Sequence, residues 1–193
     1  MPPEADGKGD ERMTTLASPE LIGLRIEEPT LADAAMMMEV QFQGWYDEAA
    51  KSGLTERATV LHAPYTSFRS YCDAVGERLG AAGAYMRVVR QGEGGLVAGI
   101  LDADIDGEMN WNDALYLRPC LQRRGLGSLM LAGFERYLDE IGNTAPIGLK
   151  VLTGNEPAKR MYEKNGYREV LGSLRYNGYL SHVTMVKRRG EAA

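Results

Sequence analysis

Apolar residues along this chain follow two spacings, and the switches between them mark out its elements. The first apolar run, Leu21 to Ile26, reads as a strand. Thr30 and Asp33 have the spacing of a capping box, so a helix should follow through about Ala50. Leu31, Ala35, Met38, Phe42, Trp45 and Ala49 would form its apolar face, and the run Met36 to Met38 suits core filling better than a ligand set. A polar connection from Lys51 to Leu61 ends near Pro64, where a second helix starts. Phe68, Tyr71, Cys72, Val75 and Leu79 are its buried stripe, and Gly80 and Gly83 close it. Tyr85 to Val89 and Leu96 to Ile105 are two strands joined by a turn at Gly92, Gly94 and Gly95, which makes a hairpin. A turn at Asp106-Gly107 leads to a third strand ending at Leu117. Leu126, Leu129, Met130, Phe134, Tyr137, Leu138 and Ile141 then recur at helical spacing as far as Gly142. A strand from Ile147 to Leu152, a helix capped by Asn155 and stopped by Gly166, and strands over Arg168 to Tyr176 and Val183 to Val186 complete the order.

Strand, two helices, three strands, helix, strand, helix, two strands is a mixed α/β (α+β) order. A chain of 193 residues suits one domain with a sizeable core. Residues 1–19, with their prolines, glycines and charges, read as a disordered tail, and 20–190 as the single domain. No apolar run reaches the ~18 residues of a membrane span, and Met1 to Thr15 lack the apolar centre of a signal peptide. Cys72 and Cys120 have neither disulfide-framework nor zinc spacing, so the expected location is cytoplasmic. The net charge of −5 argues against a nucleic-acid partner.

The chemistry centres on Leu115-Tyr116-Leu117-Arg118-Pro119-Cys120-Leu121-Gln122-Arg123-Arg124-Gly125-Leu126-Gly127-Ser128, where a strand breaks at a proline and re-forms as a helix. Gly125 and Gly127 leave backbone N–H groups bare at the positive end of that helix, and Arg123 and Arg124 stand beside it. Such a place binds anions, and its length suits a pyrophosphate. A Walker A loop would need a lysine after the glycines, and a dinucleotide fingerprint a small residue where Met130 stands.

Gln-x-x-Gly-x-Gly after a strand and a proline resembles the acyl-CoA loop of the GNAT N-acetyltransferase superfamily. The string Asn155-Glu156-Pro157-Ala158-Lys159-Arg160-Met161-Tyr162-Glu163-Lys164-Asn165-Gly166-Tyr167 is similar to the other GNAT signature, Asn-x-x-Ala-x-x-x-Tyr-x-x-x-Gly-Tyr/Phe, at every named position. With their strands the two motifs span residues 112–167. The resemblance implies a mixed sheet of about seven strands, splayed between the fourth and fifth, with about four helices around it. It implies acetyl-CoA as co-substrate and no metal. Backbone groups of Tyr116, Leu117 and Arg118 would hold the pantetheine. Amides of Arg123, Arg124, Gly125, Leu126, Gly127 and Ser128 would hold the pyrophosphate, and Asn155 and Lys159 would line the far wall. Tyr162 would protonate the departing thiolate.

Asp102, Asp104, Asp106 and Glu108 crowd one strand and its turn, with Asp113 on the next. They read equally as a solvated acidic edge or as a wall that attracts an amine, with Asp104 or Asp113 as candidate base. His62 and His182 have no supporting motif. The leading expectation is acetyl transfer to a small cationic amine or a peptide N-terminus, by direct attack within a ternary complex. A sensor that binds acyl-CoA without turnover, and a toxin-type acetyltransferase of aminoacyl-tRNA, stay open beside it. A homodimer is an assembly the resemblance allows, and no membrane partner is expected.

Overall fold

The computed structural model describes residues 14–15, 23–51, 67–92, 95–176 and 180–189. The elements are β1 (Thr14–Thr15), β2 (Leu24–Glu27), a 3₁₀ turn (Leu31–Asp33), α1 (Ala34–Lys51), α2 (Phe68–Arg78), β3 (Ala84–Gln91), β4 (Val97–Asp104), β5 (Asn110–Leu117), a second 3₁₀ turn (Pro119–Leu121), α3 (Leu126–Glu140), β6 (Ile147–Leu152), α4 (Glu156–Lys164), β7 (Arg168–Glu169), β8 (Arg175–Tyr176) and β9 (Ser181–Lys187). They form a nine-stranded sheet in the order β1-β2-β3-β4-β5-β6-β9-β7, with β8 also on β9. The sequence suggests about seven strands. The excess comes from β1 and from a turn at Gly172, whose φ of +73° splits the expected strand 168–176 into β7 and β8. The tail residues 1–13, the connection 52–66 with His62 and Pro64, and Gly94 lie outside the described residues.

Every strand pairing is antiparallel except β5–β6, which the α3 crossover makes parallel. That ladder has three rungs, Asn110↔Ile147, Trp111↔Gly148 and Asn112↔Leu149, and beyond them the strands part. These are the splayed fourth and fifth strands of the sequence reading, fifth and sixth once β1 is counted. Gly148 makes the last rungs possible, since a Cβ there would lie 2.9 Å from the ring of Trp111.

The sheet has a core on each face. Leu126, Met130, Phe134 and Leu138 of α3 pack with Ile147, Leu149 and Tyr167 on one side. Ala34, Met37 and Val40 of α1 pack with Tyr71 and Val75 of α2 on Met86, Val88 and Ile100 on the other. The face of α1 therefore differs from the expected one. Leu31 and Phe42 are exposed, Ala35 points outward, Met37 rather than Met38 is the buried methionine, and the side chain of Ala49 is outside the described set. The cause is a long-range ion pair. Asp33 turns inward onto Arg90 of β3 at 2.8 Å, and Arg90 also holds Glu27. Burial opposes the charge of Asp33, but the Thr30 N–H and Arg90 more than offset it, so its carboxyl sits below the usual range. Anchored there, the helix presents the residues after Asp33. In α2, Ser67 is the cap and Phe68 is exposed, while Tyr71 and Val75 are buried as expected.

Candidate functional site

The loop between β5 and α3 is built around two left-handed residues. Gly125, the N-cap of α3, has φ +82°, and Arg123 has φ +63° although it carries a side chain. A non-glycine residue held there stores strain that the surrounding turn must maintain. Leu121 is buried and plugs the turn from below, and Gln122 donates its side-chain amide to the Leu117 carbonyl at 3.0 Å. The first helical bond, Leu129 N–H to the Gly125 carbonyl, leaves the amides of Leu126, Gly127 and Ser128 without helical partners. Arg123 and Arg124 are exposed on the same turn. α3 lies against α4 at Gly127, where a Cβ would meet Met161 at 3.5 Å, an ordinary packing contact. Asn165 fastens the same contact from the far end of α4, donating to Ser128 Oγ at 2.8 Å.

Past the last β5–β6 rung, one edge of β5 from Asp113 to Leu117 has no strand beside it among the described residues. Asn112, at the fork, is buried and its Oδ1 has no hydrogen-bond partner among the described residues. An unpaired strand edge, an orphaned buried acceptor at its root and bare helix amides at its outer end fit an extended ligand with amides along its length and an anionic tail. Arg118 contributes differently from the sequence expectation. Its N–H is taken by the Ala98 carbonyl, its carbonyl by Leu121, and its guanidinium grips both carboxylate oxygens of Glu39 on α1. With those groups engaged it holds the turn. The ladder that sends the Arg118 N–H to Ala98 also turns the Tyr116 N–H towards Ile100 of β4, so the N–H groups on the open edge are those of Leu115 and Leu117.

Asn155 caps α4 with its Oδ1 on the Ala158 N–H at 3.3 Å. Its Nδ2 donates across the gap to Glu48 Oε1 of α1 at 2.6 Å. Tyr162, two turns further along α4, is buried and meets Tyr167 edge to face at 5.7 Å. Burial, then the charge of Glu48, pushes the Tyr162 phenol well above its ordinary pKa, and Tyr116 is raised by the same two causes and by Tyr162. Tyr116, Tyr162, Asn155 and Glu48 thus form one cluster at the open end of the fork. Lys159 is shared between Glu156 and Glu169 at about 3.6 and 3.5 Å.

Glu48 is the residue that the motifs do not reveal. A signal for it exists in Gly44, a glycine inside a helix, where it costs about 1 kcal/mol relative to alanine and so marks a close approach. A Cβ at Gly44 would lie 2.2 Å from the Tyr116 ring, so α1 presses directly on β5 there. Glu48 is one turn on, on the same face.

The acidic strand lies elsewhere. Arg78 of α2 binds Asp102 at 2.7 Å and Asp104 at 2.6 Å, so these two are not a bare acidic wall. Asp113 is the extra residue of a β-bulge: the partner of Asp102 is Ala114 and that of Ala103 is Asn112. The bulge turns Asp113 towards Asp104, and burial, then the neighbouring Asp104 carboxylate, raises its carboxyl to about 6. Tyr116 lies three residues along the strand from Asp113, a distance of about 10 Å. Among the described residues no cluster of His, Cys, Asp and Glu is arranged to hold a metal, and no helix is long and apolar enough to cross a membrane.

Residues 85–176 match the family model of FR47-like proteins. Comparison with curated proteins by sequence returns no match. Among solved structures, the chain is similar to the PaiA N-acetyltransferase of Thermoplasma acidophilum in complex with coenzyme A (TM-score 0.73, 17% identity, 86% of this chain and 99% of that one). It is also similar to the ribosomal-protein-S18-alanine N-acetyltransferase of Escherichia coli (TM-score 0.61, 18% identity, 88% and 96%). A third is the spermidine N-acetyltransferase of Vibrio cholerae in complex with CoA and spermine (TM-score 0.64, 15% identity, 86% and 96%). At such identities the likeness is one of fold.

Proposed function

We propose that a chain with this fold, both signatures and an FR47-like centre is a GNAT acetyltransferase, and that it moves an acetyl group from acetyl-CoA to a primary amine. The observation that carries the reading is the continuous line from the bare α3 amides, along the open β5 edge, to the buried phenol of Tyr162. Amides of Arg123 to Ser128 take the pyrophosphate, with Arg123 and Arg124 adding charge. The free edge of β5 at Leu115 and Leu117 pairs with the pantetheine amides as a strand would, its N–H groups stabilise the oxyanion, and the ring of Tyr116 lines the gap beside them. Asn155 and Lys159 close the opposite wall.

Acetyl-CoA supplies an activated acyl carbon and a thiolate leaving group. The amine nitrogen forms a C–N bond to that carbon and the C–S bond breaks. An ammonium sheds one proton before attack and a second after it. Tyr162 gives its phenolic proton to sulfur and is restored by the second, so the sum is an amide, a thiol and one proton released to water. With its pKa raised, Tyr162 stays protonated until the thiolate forms. Asp113, whose carboxyl beside Asp104 is raised to about 6, lies about 10 Å along the strand from Tyr116 and takes the first proton through intervening water. The fold likeness to a ribosomal-protein alanine acetyltransferase and to a spermidine acetyltransferase supports an amine as acceptor.

Calorimetric titration with acetyl-CoA, followed by a thiol-release screen across polyamines, amino acids, aminoglycosides and peptides, tests this. Saturable binding and amine-dependent thiol release are expected. Binding without release in any arm would make the protein an acyl-CoA sensor, and no binding would sink the cofactor assignment.

A further inference from the structure

The carboxylate of Glu48 has no part in the two signatures, yet it stands where they converge. It reaches from α1 over the open end of the fork and accepts the Asn155 amide at 2.6 Å, a contact between residues 107 apart in the chain. Gly44 exists, in packing terms, to put it there: only a residue without a Cβ lets α1 sit on Tyr116, and Glu48 follows one turn later on that face. We infer that Glu48 is the group that receives the acceptor's ammonium and sets the substrate class as cationic primary amines. The inference rests on the acetyltransferase reading given above.

The geometry supports this over a purely structural clasp. A carboxylate has about four acceptor sites, so it can keep the Asn155 hydrogen bond and take an ammonium as well. Its charge is felt by the phenols of both Tyr116 and Tyr162, the second being the proposed proton donor to sulfur. An amine bound on Glu48 therefore stands beside the reacting atoms. Its positive charge also counters the field that holds the Tyr162 proton, so the donor becomes more acidic only once the nucleophile has arrived. The rival acidic group is less suited, because Arg78 already engages Asp102 and Asp104, and Asp113 is about 10 Å along the strand from Tyr116.

The test compares full-length wild type with Glu48→Gln and Glu48→Asp. Glutamine keeps an oxygen for Asn155 and removes only the charge. Acetyl-CoA affinity is measured by calorimetry, the melting point serves as the folding control, and thiol release is followed with spermidine, butylamine, lysinamide and an alanine-led peptide. The expected result is unchanged acetyl-CoA affinity in both variants, with KM for the best amine raised about tenfold or more in Glu48→Gln, as for loss of a charge-assisted contact. A smaller change in kcat and a partial return in Glu48→Asp complete the pattern. Equal amine KM in wild type and Glu48→Gln, or a preference for uncharged amines, overturns the inference and leaves the acetyltransferase reading intact. Failure of the wild type to bind acetyl-CoA, or binding without thiol release in every arm, overturns that reading and this inference together.

Discussion

Tyr162 and Asp113 are titrating side chains moved in the same direction by burial, with different consequences. Tyr162→Phe keeps the edge-to-face contact with Tyr167 and removes the one proton the side chain can give. The expected outcome in steady-state thiol release is a fall in kcat of about 10²-fold or more with little change in KM for acetyl-CoA. The melting point should move by no more than about 1 kcal/mol of stability implies. A kcat within about threefold of wild type would make Tyr162 a packing residue. For Asp113, whose folded pKa of about 6 lies above the ordinary 3.8, the native state holds the proton more tightly than the unfolded chain. Its contribution is therefore complete below about pH 4 and lost as pH rises through about 6. Although the carboxyl is packed against Asp104, much of the Asp113 side chain stays open to water, so after allowing for solvent screening Asp113→Asn should be more stable than wild type at pH 7 by about 1 kcal/mol. The difference should close towards pH 4 in paired thermal melts, and a difference that does not vary with pH would count against the Asp104–Asp113 pairing.

Between residues and the whole, the elements divide by how local their causes are. The β5–α3 turn and α4 are written in contiguous residues: a proline, glycines at fixed offsets, an Asn cap and a terminal glycine. Both turn up in the structure where the motifs put them. Gly125 shows the point, since its φ of +82° is what the turn needs and no neighbouring atom crowds it. Gly125→Val should leave the melting transition cooperative while acetyl-CoA affinity in calorimetry falls severely, because a β-branched residue resists the left-handed region and drags the amides out of line. Unchanged affinity in a folded variant would refute the loop assignment. The face of α1 was not legible in the same way. It depends on Asp33 finding Arg90 fifty-seven residues downstream, and periodicity within a helix carries no information about such a partner. The bulge at Asp113 and the role of Arg78 in occupying the acidic strand are likewise products of pairing across elements.

For the molecule as a whole, the three β5–β6 rungs divide the sheet into two leaves on a short spine. One leaf is β1 to β5 and the other is β6 to β9. Apart from the spine, the Asn165–Ser128 hydrogen bond ties α4 to α3 at one point and the Asn155–Glu48 bond ties α4 to α1 at another. A sheet interior normally resists opening because every strand is stitched along its full length, whereas here the stitching stops halfway. A bound molecule that pairs with the open edge therefore supplies the missing rungs and is, mechanically, a temporary strand of the protein. Hydrogen exchange should register this as slower exchange at Leu115 and Leu117 on adding acetyl-CoA, with the amides of Tyr116 and of β3 and β4 unaffected, because only the former gain a partner. Protection spread evenly over the sheet would point instead to general stiffening. The binding enthalpy and the cohesion of the two leaves would then be one quantity, so that a ligand leaving after reaction also loosens the spine that must admit its successor.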